Sequence, residues 1–258
     1  MVSASRISRD RVGAGHRPVP PPTLAAGARP VRPARTQADQ SLVEQVDVPA
    51  GTVTLPGLIA QPARQSGLVV FAHGSGSGRL SPRNQYVARV LNDAGLATLL
   101  FDLLTPAESD DRRNVFDIGL LAARLAAAIT WARHDLPGLP VGAFGASTGA
   151  AAALCAAADP ALRVRAVVSR GGRPDLAEQR LAEVTAPTLL IVGGDDTVVL
   201  DLNRDAYDHL TCIRQLAVVP GATHLFSEPG ALESAAGRAR DWFLTHLGGP
   251  HQPAALRP

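Results

Sequence analysis

The sequence predicts an α/β fold, a mostly parallel central sheet with helices on both faces. Three observations carry this expectation. Strand-like and helix-like segments alternate through most of residues 41–248. Several strands are short continuous apolar runs, such as Leu68-Val69-Val70-Phe71 and Leu189-Leu190-Ile191-Val192. Such runs fit strands covered on both faces. The 24 glycines and 21 prolines supply the turns that so many short elements need.

Residues 1–40 carry seven arginines against Asp10 and Asp39, with Pro18-Val19-Pro20-Pro21-Pro22 at their centre. They lack apolar periodicity and are expected to form a disordered basic Pro/Arg-rich tail. The folded domain is expected over 41–248, with a loose tail at 249–258. Val43–Val48 and Thr52–Ala60 read as an opening hairpin turning at Pro49-Ala50-Gly51. Gly67–Ala72 reads as a central strand, followed by the glycine-rich loop His73-Gly74-Ser75-Gly76-Ser77-Gly78. A helix at about Asn84–Ala94 stops at Gly95, and Ala97–Phe101 is the next strand, ending at Asp102. Leu103–Arg113 reads as polar and irregular. Val115, Ile118, Leu121, Leu125 and Ile129 place a helix that runs to about His134.

Leu139–Phe144 is apolar enough for a buried strand, and Ala150–Leu154 is a strong helix former. Val164–Ser169 and Pro187–Val192 are further strands. A helix near Leu200–Leu210 precedes the strand Gln215–Val219, and a helix at about Ala231–Leu247 closes the domain.

Composition excludes several classes. The formal net charge is +2, yet residues 1–40 alone contribute an excess of five positive charges, so the remainder is slightly acidic. A nucleic-acid partner would concentrate basic charge on the folded part, and none is expected. No apolar run approaches the roughly 20 residues of a membrane span, so no membrane partner is expected. The amino-terminal arginines border no apolar signal-peptide core, and Cys155 and Cys212 read as reduced packing residues. A cytoplasmic location follows as the expectation. The cysteines and seven histidines show no metal-ligand spacing, so no metal is expected. Nothing in the sequence reads out oligomeric state.

The most informative stretch is Gly145-Ala146-Ser147-Thr148-Gly149, between a strand and a helix. A small-x-Ser-x-Gly there has the pattern of a nucleophile elbow, a turn so sharp that the flanking residues must be small. The competing reading is a packing turn whose serine caps the helix. A hydroxyl needs a base to become a nucleophile. His224 follows the last strand, at the same sheet edge as Ser147. The base needs a carboxylate, and Asp195 and Asp196 both follow the strand Thr188–Val192. The Asp-x-x-Val pattern favours Asp196. An oxyanion would need backbone N–H donors. Thr148, opening the helix, supplies one; Ser75, in the glycine-rich loop, supplies the other. That loop lacks a Gly-Lys-Ser/Thr ending, and Arg79 stands where Gly-x-Gly-x-x-Gly would need its last glycine, which argues against a phosphate cradle. Arg79 and Arg170 near strand ends are candidates to bind an anionic substrate group, against a role bracing loops.

These stretches carry a resemblance. FAHGSGSGRLSPRN (Phe71 to Asn84), LLFDLLTP (Leu99 to Pro106), GAFGASTGAAAAL (Gly142 to Leu154), VVSRGGRPDLA (Val167 to Ala177), LLIVGGDDTVVLDLNR (Leu189 to Arg204) and VPGATHLFSEPGALE (Val219 to Glu233) are similar to the α/β-hydrolase superfamily, in its dienelactone-hydrolase-like branch. The resemblance covers about Val43 to Leu247. It implies the α/β-hydrolase fold, the chain order Ser, Asp, His, and no metal or organic cofactor. Dienelactone hydrolases proper use a cysteine where this chain has Ser147, so the lactone substrate does not carry over. Some members of the resembling bacterial group carry an amino-terminal phosphoribosyltransferase domain, for which residues 1–40 are too short. The expected activity is hydrolysis of a carboxylic ester or thioester through an acyl-enzyme on Ser147, with a small-molecule acyl substrate. The alternatives are an acyltransferase using the same residues and a binding protein without turnover.

Overall fold

The computed structural model describes residues 42–248. The segments 1–40 and 249–258, expected as tails, lie outside the described residues. Eight strands form one sheet in the order β1-β2-β4-β3-β5-β6-β7-β8. β1 (Leu42–Ala50) and β2 (Val53–Gln61) are an antiparallel hairpin, and β2 is antiparallel to β4 (Leu96–Phe101). From β4 onward through β3 (Gly67–Ala72), β5 (Val141–Ala146), β6 (Val164–Arg170), β7 (Thr188–Gly193) and β8 (Arg214–Val219) every pair is parallel. β3, β4, β5 and β7 are buried along their whole length, which explains why they read as unbroken apolar runs.

Helices cover both faces. On one side, α1 (Pro82–Asp93) buries Val87 and Leu91 over β4, and α7 (Ala231–Leu247) buries Ala235 and Phe243 over β5, β6 and β7. On the other, α4 (Ile118–Asp135), α5 (Thr148–Ala157) and α6 (Thr197–His209) bury Leu121, Leu125, Leu154 and Ala206. β4 and β5 flank β3 on opposite sides, so the chain reverses direction across the sheet there. The loops leaving β3 and β5 diverge at that point, where open parallel sheets bind their ligands. The register sets Ala72 beside Gly145, which brings the His73 loop against Ser147.

The structure differs from the sequence expectation between 103 and 118. Two short helices, α2 (Pro106–Ser109) and α3 (Arg112–Phe116), occupy the stretch expected to be irregular. α2 has a capping box in which Thr105 and Glu108 satisfy each other's backbone N–H. Val115 belongs to α3 and not to the long helix. Asp117 separates the two by leaving helical geometry and accepting the Leu120 N–H at 2.9 Å. Residues Pro174–Glu183, which no periodicity marked, form 3-10 turns kinked at Glu178.

α5 explains the alanine run at 150–153. A buried helix needs no polar face, and alanine combines high helix propensity with close approach. A Cβ on Gly149 would lie 2.2 Å from the Ala72 carbonyl oxygen, and one on Gly145 would lie 2.4 Å from the Ala150 Cα. Both obstacles are backbone and have no room to give way. Gly149→Ala is expected to cost about 3 kcal/mol or more, lowering the melting temperature by roughly 6–12 °C. A thermal melt followed by circular dichroism checks this; an unchanged melt would remove close packing as the reason for this glycine.

Candidate active site

Ser147 sits at the turn from β5 into α5 with φ 50° and ψ −125°. This is a strained conformation for a residue with a side chain, and such strain concentrates at functional sites. Its hydroxyl makes no capping bond to α5, so the structure does not bear out the capping role. Two glycines from neighbouring loops pack closely against this turn. A Cβ on Gly74 would lie 2.7 Å from the Ser147 Cβ, and one on Gly172 would lie 2.5 Å from the Ala150 Cβ.

His224 occupies the loop after β8. Its Nδ1 lies 2.7 Å from Asp196 Oδ2. Asp196 is half-buried at the start of α6, whereas Asp195 is exposed. The two loops are laced by backbone. Asp195 N–H donates to the Ala222 carbonyl at 3.0 Å, and Gly194 N–H to the Val219 carbonyl at 2.8 Å. Gly193 permits this approach, since a Cβ there would lie 2.2 Å from the Ala222 oxygen. Further along, Thr223 is held by Glu228 through both its N–H (3.1 Å) and its hydroxyl (2.6 Å).

Two consecutive residues, Arg170 and Gly171, link Ser147 to His224. Ser147 N–H donates to the Arg170 carbonyl at 3.4 Å. The next residue, Gly171, has φ +51°, and a Cβ on it would lie 3.1 Å from the His224 carbonyl oxygen and 3.7 Å from its ring Cε1. The serine, the histidine and the carboxylate thus gather at one sheet edge.

Thr148 opens α5, so its N–H has no intrahelical acceptor. Ser75 lies across from it in the His73 loop, and both line a cavity of about 420 Å³. His73 anchors that loop from below. Its Nε2 accepts the Leu103 N–H at 2.9 Å, and its Nδ1 lies 2.9 Å from the Gly74 carbonyl. The two bonds together require a neutral ring protonated on Nδ1. Burial pushes the His73 pKa down and favours that neutral form. The sequence reading treated His73 only as part of the loop; its flanking apolar strand and glycine were the available signal.

Arg79 and Arg170 do not present free charges to the cavity. Arg79 lines it, but its guanidinium pairs with Asp102, whose other oxygen accepts the Arg79 N–H at 2.7 Å. The pair pins the end of the glycine-rich loop to the end of β4. Arg170 does not line the cavity. Strand alternation puts it with Ala166 and Val168 on the face under α1 and α7, where it is buried.

The match to known proteins agrees with this fold. The family model described as the alpha/beta hydrolase fold matches residues 67–186. A solved dienelactone hydrolase from Anabaena variabilis is 53% identical, with a TM-score of 0.78, over 80% of this chain and 99% of that one. Est1E from Butyrivibrio proteoclasticus is 15% identical with a TM-score of 0.68, over 80% of this chain and 99% of its own, a likeness of fold alone. A Mycobacterium tuberculosis (strain H37Rv) protein with the provisional name phosphoribosyl transferase is 62% identical over 209 residues, 80% of this chain. Those residues are 47% of that relative, so the chain spans about half its length. The chain belongs to the α/β-hydrolase family, in its dienelactone-hydrolase-like branch.

Proposed function

We propose that the protein is a serine hydrolase of carboxylic esters or thioesters. The observation that carries the reading is the 2.7 Å contact between His224 Nδ1 and Asp196 on the loops facing the strained Ser147. Asp196 fixes the ring so that Nε2 is the free basic nitrogen. Ser147 Oγ attacks the acyl carbon and gives its proton to Nε2. The oxyanion is held by the N–H groups of Thr148 and Ser75. Nε2 then protonates the departing alkoxide or thiolate, which leaves as an alcohol or thiol. A water molecule, deprotonated by the same nitrogen, attacks the acyl-serine, and the carboxylic acid departs as Ser147 regains its proton. None of these steps calls for a metal or organic cofactor.

The cavity reaches the site through the two oxyanion donors, Thr148 and Ser75, while Ser147, Asp196 and His224 are not among the residues lining it. Leu80, Leu103, Leu104, Val115 and Leu121 contribute apolar side chains to it, and the charge of Arg79 is compensated by Asp102. Leu80 also remains exposed, as does Phe116, next in the chain to the lining residue Val115. The hydroxyls of Ser75, Ser77, Ser81, Ser109 and Thr148 share the lining, so the group that fits there is uncharged, with an apolar part met by the leucines. The name phosphoribosyl transferase belongs to longer relatives, and we assign it to the half of those chains that this one does not match.

Two measurements test the reading. A fluorophosphonate probe is expected to label the wild type and not Ser147→Ala; equal labelling of both would falsify the assignment. In a p-nitrophenyl ester series, kcat/KM is expected to be higher for the butyrate than for the hemisuccinate. The reverse order would overturn the uncharged site.

A further inference from the structure

Arg170 is the feature that the reaction scheme leaves unused. It is 8% exposed, and no carboxylate pairs with it among the described residues. Burial and the nearby Arg83 lower its pKa to about 10, so it remains a cation at neutral pH. Its NH2 group donates to Asn84 Oδ1 at 3.3 Å, and its NH1 group is buried without a partner. The guanidinium carbon lies 5.8 Å from the centre of the Phe144 ring and 5.9 Å from that of Phe226. These are cation–π distances, which gain strength when desolvated. By contrast Arg124, also well buried, is matched by Glu108.

A buried cation without a counter-ion is costly, and a hydrophobic side chain of similar volume would fill the space at lower cost. What Arg170 touches gives it a purpose. Phe144 lies in β5, three residues before Ser147. Phe226 lies two residues after His224 and is itself strained, with φ +54°. Asn84 lies in the first turn of α1, where the His73–Ser81 loop enters the helix. The Arg170 carbonyl accepts the Ser147 N–H, and Gly171 packs against His224 and against the Phe226 ring, which a Cβ would approach to 3.3 Å. The three segments that carry the nucleophile, the base and an oxyanion donor meet on this one residue.

We propose that Arg170 is a positioning residue whose guanidinium, held between Phe144 and Phe226 and bonded to Asn84, keeps the serine turn, the histidine loop and the oxyanion loop in mutual register. The inference rests on the reading of Ser147 and His224 as the reacting pair. It differs from the anion-binding role that the sequence left open beside loop bracing, because the side chain is buried with Ala166 and Val168 and against the Phe144 and Phe226 rings.

Arg170→Met keeps the volume and removes the charge and its donors. Arg170→Lys keeps the charge, and Phe226→Leu removes one ring. With p-nitrophenyl butyrate, Arg170→Met is expected to lower kcat by about tenfold or more with KM within about twofold, the pattern of misplacement and not of lost substrate binding. The rate of fluorophosphonate labelling falls in parallel. Arg170→Lys recovers at least about a third of the lost rate on a logarithmic scale, since the cation survives. Phe226→Leu lowers kcat in the same sense, and adding Arg170→Met to it costs less than in the wild type, because the two act through one contact.

A folded Arg170→Met chain that labels and turns over within twofold of the wild type overturns the proposal. So does a loss expressed wholly in KM. Should Arg170→Met not fold, Phe226→Leu decides: a folded variant with unchanged kcat overturns the proposal, and a lowered kcat at unchanged KM supports it. Ser147→Ala, assayed alongside, separates the two readings. If it still labels, the nucleophile assignment fails whatever the Arg170 variants do.

Discussion

Ser147→Ala is expected to lower kcat/KM for p-nitrophenyl butyrate by about 10⁵-fold or more, because removing the nucleophile disables the whole unit. The structure makes this substitution a clean probe. The Ser147 hydroxyl caps no helix, so its removal breaks no capping bond. The backbone at φ 50° is held by its neighbours, among them the Ser147 N–H to the Arg170 carbonyl and the Arg173 N–H to the Ser147 carbonyl at 3.0 Å. The alanine chain should therefore melt within a few degrees of the wild type. Positive φ costs a non-glycine residue on the order of 1–3 kcal/mol. Ser147→Gly is accordingly expected to melt no lower than Ser147→Ala while being equally inactive. Retained turnover by either variant would move the nucleophile elsewhere in the site.

The strands were the most legible part of the fold. β3, β4, β5 and β7 are buried on both faces, so each is written as an uninterrupted apolar run that needs no alternation to be seen. The helices were legible as bodies but not at every end. α3 and α4 merged into one expected helix because Val115 continues the apolar spacing of α4. The competing signal was Asp117, whose short side chain offers the backbone a cap and ends the run. α2 was hidden for a related reason: its four residues bury no side chain, so it leaves no periodicity, and only the Thr105–Glu108 box announces it.

At the site, residue types and their order along the chain marked the strand ends at which Ser147, Asp196 and His224 now gather. What the sequence did not disclose is how the loops are pinned. Asp102 and Arg79 stand 23 residues apart, His73 and Leu103 thirty. No local pattern joins them. For Arg170 the sequence left two roles open because charge argues for exposure, while its place in the alternation of β6 argues for burial. The apolar alternation of Ala166 and Val168 is the signal that places Arg170 on the buried face.

Asp196→Asn is expected to lower kcat by about 10⁴-fold with KM little changed, following the loss seen when such a carboxylate becomes an amide. Asp195→Asn should stay within about threefold of the wild type, since an exposed turn carboxylate away from the reacting atoms has little to contribute. The argument is one of geometry. Asp196 is 14% exposed at its side chain and meets His224 Nδ1 at 2.7 Å, so water competes little for the bond. An amide in that place has no charge to stabilise the imidazolium. It can also present its NH2 group to Nδ1, which favours the wrong tautomer and leaves Nε2 protonated before attack. Asp195, by contrast, contributes its backbone N–H to the histidine loop, and that contact survives any side-chain change. Adding Asp196→Asn to Ser147→Ala should cost nothing further, because the carboxylate acts only through the histidine and the serine. Kinetics of the two single variants and the double variant test each step. A loss at Asp195→Asn as large as at Asp196→Asn would mean that the turn as a whole, and not one carboxylate, orients His224.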